Sequence, residues 1–311
     1  MTADTIPDRL TRFLLDQAGV RGVHVRLDDT WAQIRARADS LTQNQTDVAE
    51  LLGEAVAASA LFTGHVKADG RLSVHLRGSG ALRTLFAECT GAGTLRGIAT
   101  LAEGELPGGA RSLGSLGPDA VLAITIENPG VRGQEPARYQ GLVGLDADTL
   151  EEGGLSAAFE GYFRQSEQLP TRLLLAASGE RVAGLMLQKL PGDDGDLDGW
   201  ERASALFETL AAPELLDTPV ETLLHRLFHE DGVRLLGDKP LQFACSCSRE
   251  RVSSMLESLG EEEARAAAGD NAGTAEIRCE FCGETYRYSA EEITALFAPR
   301  LAPLIAPERL Q

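Results

Sequence analysis

Four of the five cysteines of this 311-residue chain fall within 38 residues near its C-terminal end. They are Cys245 and Cys247, then, after 31 intervening residues, Cys279 and Cys282, whereas Cys89 stands alone. Four thiolates in two close pairs can close a tetrahedral site around one Zn²⁺, with Zn–S distances near about 2.3 Å. In the half Cys279-Glu-Phe-Cys282-Gly283, the glycine permits the turn that aims two sulfurs at one ion. In Cys245-Ser-Cys247, an extended segment points residues i and i+2 to the same side. The plain alternative is four structural thiols without a metal. A zinc that merely holds a small module together is the next plainest, because modules of about 60 residues rarely sustain a core unaided. The C-x-C spacing is tighter than the commoner zinc spacings, which points to a specialised role. A disulfide across it closes a small strained ring, the labile kind, and zinc keeps the sulfurs as thiolates, the reactive form. Oxidation would then withdraw on the order of 10–16 kcal/mol of metal stabilisation.

The rest of the composition narrows the classes. Lys and Arg total 29 against 47 Asp and Glu, a net charge of −18, and no Lys/Arg-rich stretch offsets it. Such a chain repels phosphate backbones, so nucleic acid is not an expected partner. The densest apolar runs, Val121 to Ile126 and Leu173 to Ala177, fall far short of the roughly 20 residues of a membrane span. No membrane partner is expected, and the absence of a visible secretory signal makes the cytoplasm the expected compartment. Gly78-Ser-Gly80 and Gly91-Ala-Gly93 lack the Lys-Ser/Thr of a phosphate loop and read as turns between strands. His225 and His229 read as a polar helix face and Cys89 as a small buried hydrophobe. No nucleophile elbow is present, and no enzyme active site is expected.

Along the chain, Val23-x-Val25-x-Leu27 and Leu72-x-Val74-x-Leu76 alternate as half-buried strands, and further strands are predicted at 120–126, 171–177 and 182–189. Helical stripes run through Val48 to Phe62 and Leu155 to Phe163, the second with Asp148 or Thr149 as N-cap. Helices are too few for a βαβ series, so residues 1–190 are predicted as an α+β domain. The acidic, Gly-rich stretch from Pro191 to Gly199 marks a boundary, followed by a helical linker over 191–240. One linker helix carries Trp200, Ala203, Phe207 and Leu210, with Asp198 as N-cap. The other opens on a predicted capping box, Thr218-Pro-Val-Glu221, and carries Val220, Leu223, Leu224, Leu227 and Phe228. A zinc-binding α+β module is predicted over 241–311. It has an extended piece at 241–243 and a helix capped by Ser248 with Val252, Met255, Leu256 and Leu259 inward. Gly260 stops that helix, Glu261 to Ala268 forms a second, a hairpin turns through Cys279 to Gly283, and Ser289-Ala-Glu-Glu292 caps a last helix.

These motifs resemble the family of redox-regulated heat-shock chaperones of about 33 kDa, the 33 kDa chaperonins. The likeness lies in Phe243-Ala-Cys-Ser-Cys-Ser-Arg-Glu-Arg251 with Cys279-Glu-Phe-Cys-Gly283, in Tyr162-Phe-Arg-Gln-Ser-Glu-Gln-Leu-Pro-Thr171, in His225-Arg-Leu-Phe-His-Glu230 and in Arg26-Leu-Asp-Asp-Thr-Trp31. It implies an ATP-independent holdase, reduced and zinc-bound when idle, disulfide-bonded and partly unfolded when active. Its expected partners are unfolding client proteins, with a homodimer of the oxidised form allowed. Short loops close fastest, so the expected disulfides are Cys245–Cys247 and Cys279–Cys282. The apolar stripes of the two linker helices, from Trp200 to Phe228, are the candidate client surface. Their resting cover is expected at an interface between the first domain and the zinc module. A constitutive zinc-ribbon adaptor and a thiol oxidoreductase using Cys279-x-x-Cys282 are the competing classes. The charge weighs against the first, and the placement of the pair on a hairpin, not at a helix start, against the second.

Overall fold

The computed structural model describes residues 8–38, 46–64, 70–102, 113–129, 137–145, 154–192, 198–269 and 273–298. It divides into two compact units, residues 1–245 and 246–311. The first contains β1 (Arg9–Leu15), β2 (Val20–Leu27), α1 (Asp29–Arg37), α2 (Thr46–Thr63), β3 (Arg71–Arg77), β4 (Leu82–Thr90) and β5 (Thr94–Leu101). It continues through β6 (Val121–Asn128), β7 (Ala137–Gly144), α3 (Gly154–Tyr162), β8 (Thr171–Ala177) and β9 (Val182–Lys189). It ends with α4 (Gly199–Phe207), α5 (Ala212–Asp217), α6 (Val220–Phe228), β10 (Val233–Pro240) and β11 (Gln242–Phe243). The second unit contains α7 (Arg249–Leu259), α8 (Glu261–Gly269), β12 (Thr274–Arg278), β13 (Thr285–Ser289) and α9 (Ala290–Leu296). The fold is mixed α+β.

Two sheets build the first unit. One has strand order β10-β1-β2-β9-β8, the other β11-β5-β4-β3-β6-β7. The helix α2 touches strands of both. Ala55, Val56, Ala57, Ala58, Ala60 and Leu61 are all fully buried, and a helical stretch apolar all round belongs in the middle of a core. Glycines let it approach: a Cβ at Gly97 of β5 would lie 2.9 Å from Val56, and one at Gly184 of β9 2.7 Å from Leu61. Gly78 to Gly80 and Gly91 to Gly93 connect β3 to β4 and β4 to β5, as their turn composition predicts.

The opposite face of the five-stranded sheet carries a second apolar layer. Phe13, Leu15, Val20, Leu185 and Leu187 form its floor, and Ala203, Phe207, Leu215, Val220, Leu223, Leu224 and Phe228 of α4–α6 form a roof over it. The cover of the linker stripes is therefore this sheet, within the first unit, in place of the expected interface with the zinc module. Of the floor strands only β9 is near in sequence; β1 and β2 lie far upstream, which hides the pairing from local pattern.

Several local expectations change. Three helices follow residue 198 where two are predicted; α5 is short and starts on Pro213 at its first turn. The capping box at Thr218 does not form. Thr218 instead closes α5 by donating its N–H to the Glu214 carbonyl, 3.0 Å away, and Glu221 pairs with Arg9 of β1 at 2.7 Å. Asp198 sits at the start of α4, but its side chain makes no capping bond. Residues 233–240, read only as linker, form β10, antiparallel to β1, and Gln242–Phe243 pairs in parallel with β5. Asp148, Thr149 and residues 193–197 of the acidic loop lie outside the described residues.

Candidate metal centre

In the second unit Ser248 caps α7 by accepting from the Arg251 N–H at 3.3 Å, and Gly260 ends it at φ 98°. A capping box between Ser289 and Glu292 starts α9. Val252, Leu256, Ala264, Ala275, Tyr288 and Ile293 form the core. Met255 and Leu259, expected inward, are exposed: so small a unit fills its interior with Val252 and Leu256 alone from that helix. Tyr288 crosses the core and donates from Oη to the Arg249 carbonyl at 2.8 Å.

Cys245 and Cys247 lie in the irregular segment between β11 and α7, and Cys279 and Cys282 in the turn joining β12 to β13. The turn is closed by Cys279 N–H to the Glu284 carbonyl and Gly283 N–H to the Cys279 carbonyl, each at 2.8 Å. Gly283 adopts φ 74° there, the left-handed conformation that suits glycine. All four sulfurs lie within 4.8 Å of one another, and all four cysteines are partly buried. Sulfurs around a tetrahedral ion at about 2.3 Å stand about 3.8 Å apart, so the cluster has the dimensions of a four-thiolate site. Cys247 and Cys282 bring their sulfurs to 3.3 Å, and Tyr286 donates from Oη to Cys247 Sγ at 3.2 Å. No disulfide joins any of the five cysteines.

Cys89 is apart from this cluster, fully buried in β4. Burial pushes its thiol up to about 11, partly opposed by a hydrogen bond with Thr63 and the charge of Lys239. A thiol so held is protonated and unreactive. His225 on the exposed face of α6 and His229 just beyond its end stack with ring centroids 5.5 Å apart, and His229 Nδ1 lies 3.1 Å from the His225 carbonyl.

The sequence pattern misses the pair Arg202–Asp231. Asp231 is fully buried and accepts from Arg202 Nε at 2.8 Å, which ties α4 to the end of α6.

A mixed α+β unit with a helical roof, a small second unit, and four converging thiols that could hold a metal ion define a thiol-cluster protein of two compact parts. Residues 8–289 match the family described as Hsp33 protein, and the chain belongs to that family. It is 44% identical over 292 residues to the 33 kDa chaperonin of Ectopseudomonas mendocina, covering 92% of this chain and 94% of that one. It is 43% identical over 296 residues to the 33 kDa chaperonin of Pseudomonas putida strain KT2440, covering 94% of each. The fold is similar to the crystal structure of a 33 kDa chaperonin from Thermotoga maritima, with a TM-score of 0.76 at 22% identity over 94% of this chain and 98% of that one. Among the described residues no helix is long and apolar enough to cross a membrane.

Proposed function

We propose that this chain is a redox-switched, ATP-independent chaperone that holds unfolding proteins, with Cys245, Cys247, Cys279 and Cys282 as the switch. The reading is supported above all by the convergence of four thiols, none in a disulfide, into a metal-sized cluster. The naming of its relatives as chaperonins agrees with it. A thiolate-only donor set suits Zn²⁺; once bound, the ion cross-links two chain segments and holds their sulfurs as thiolates. Oxidation pairs Cys245 with Cys247 and Cys279 with Cys282. Each pair gives up two electrons to a peroxide, which leaves as water, and the ligand set is lost.

The second unit then has only its small core to offset the backbone entropy of about 1–2 kcal/mol per ordered residue, and it unfolds. Loosening passes up the chain through β11, a two-residue strand held by Gln242 N–H to Gly93 and Ala244 N–H to Leu95. Beyond it stand β10 and the roof. Released roof helices present Trp200, Phe207, Leu210, Val220, Leu223, Leu224, Leu227 and Phe228, together with the floor they covered, to apolar client segments.

The test is suppression of client aggregation by reduced and by peroxide-treated protein, with zinc counted in both. Activity gained as zinc leaves supports the switch. A constitutive adaptor works when reduced, and an oxidoreductase turns over disulfide substrates; either result overturns the reading.

A further inference from the structure

Beneath the roof lies a titratable side chain that the cysteine switch does not use. His24 of β2 is 2% exposed. In register it stands opposite Thr11 of β1 and Leu185 of β9. It shares their side of the sheet with Phe13, Leu15, Val20 and Leu187, the floor on which α4–α6 rest. Neither ring nitrogen has a hydrogen-bond partner among the described residues, and neither does the Thr11 hydroxyl opposite.

The charges around it are unfavourable to a second cation. Arg9 and Arg26 pair in register two residues away on the same side. Arg9 is held by Glu221 of α6 at 2.7 Å and Asp238 of β10 at 3.6 Å, and Arg26 by Asp28 at 3.2 Å. Each of these carboxylates is paired to an arginine, and none lies within hydrogen-bond distance of the imidazole. From α5 and α4 the roof contributes the ion pairs Arg181–Asp217 and Arg202–Asp231. An unpartnered imidazole in an apolar layer is tolerated only while neutral.

We propose that His24 is a proton-sensitive latch: protonation of its ring frees the α4–α6 roof from the sheet without any change at the cysteines. That the freed faces would bind clients rests on the chaperone reading above; the latch itself does not.

Burial first, then the charges of Arg9 and Arg26, push the His24 ring from 6.5 down to about 3. The docked state therefore binds fewer protons than the undocked one. Docking is fully supported above the undocked value of 6.5 and weakens as pH falls from there toward about 3. Between pH 7 and pH 5 the undocking equilibrium rises about 25-fold.

The test uses reduced, zinc-loaded full-length protein and its His24→Leu and His24→Asn variants. Amide exchange over residues 220–228, corrected for the chemical rate, is read at pH 7 and pH 5, with zinc content followed in the same samples. The wild type should open about 25-fold more at pH 5, and both variants should be flat. His24→Asn keeps the buried polar burden, so its flatness separates proton uptake from a merely weakened roof. The roof's carboxylates are common to all three proteins. Equal opening in wild type and variants, or opening only where zinc is lost, overturns the latch. Opening without aggregation suppression at pH 5 would count against the chaperone reading alone.

Discussion

Arg202 donates from Nε to Oδ1 of Asp231 at 2.8 Å, and Asp231, at 0% exposure, has no contact with solvent. The backbone carbonyl of Asp231 also accepts from Gln17 N–H at 3.0 Å. One residue therefore fastens the end of α6 both to the start of α4 and to the turn between β1 and β2. This is a clasp on the roof that the hydrophobic stripes do not reveal.

Arg202→Ala should leave a buried carboxylate without its cation, at a cost of about 2–4 kcal/mol. The figure is set below the fully buried range because the Arg202 side chain is 37% exposed. The expected result is a lower urea midpoint and increased binding of an apolar-surface dye by reduced protein. Adding Asp231→Asn to the same protein should recover part of the loss, since the orphaned charge is gone. A midpoint unchanged by Arg202→Ala would show that the clasp carries no stability.

The thiol cluster makes a separate prediction. Protein purified under reducing conditions should hold about one Zn²⁺ per chain. Cys279→Ser should weaken binding sharply and Cys89→Ser should not. After peroxide treatment, peptide mapping should find Cys245–Cys247 and Cys279–Cys282. A dominant crosslink between Cys247 and Cys282, whose sulfurs lie 3.3 Å apart, would instead mean that proximity in the folded site, not loop length, selects the product. Cys89, held as a buried thiol near 11, should resist alkylation until the chain unfolds globally.

What could be read from sequence was what is local. The spacing within each cysteine pair, the Ser248 and Ser289 caps, the stop at Gly260 and the stripe of α6 each depend on residues within a turn or two of one another. What stayed hidden depends on distant partners. Val233–Pro240 carries adjacent Leu235 and Leu236, both exposed, so it shows no alternation. It is a strand because β1 offers it a ladder, with an irregularity at Arg12/Phe13. Glu221 matches a capping box by spacing, yet Arg9, 212 positions upstream, takes its carboxylate. His24 sits in an alternating strand and reads as solvent-facing until the roof is placed over it.

A second pH effect belongs to the central helix. Burial, then the neighbouring charge of Glu50, raises Glu54 of α2 from 4.5 to about 7. The folded state thus binds the extra proton. The associated stability is complete below 4.5 and is lost as pH rises through about 7. Glu54→Gln should therefore raise the thermal midpoint at pH 8, by on the order of 2–3 kcal/mol of stability, and change little at pH 4. Equal effects at both pH values would mean that the carboxyl is not titrating in the folded protein.

The roof can also be forced open from its own side. Leu224 is 1% exposed on α6 and packs in the layer with Phe13, Leu15 and Leu185. Leu224→Glu forfeits about 1.5–3 kcal/mol of apolar burial and asks a carboxylate to enter a dry layer, where an unpaired charge is far costlier. The helix avoids that cost by lifting off the floor. Zinc should stay bound, since the four thiols are untouched. The reduced variant should then suppress client aggregation without oxidant, and amide protection over 220–228 should fall while that of α2 holds. Thr222→Glu, on the exposed side of the same helix, controls for added charge and should behave as wild type. If Leu224→Glu loses roof protection with zinc bound yet holds no client until oxidised, the client surface is not the roof and its floor, and must be sought in what the second unit exposes when it unfolds.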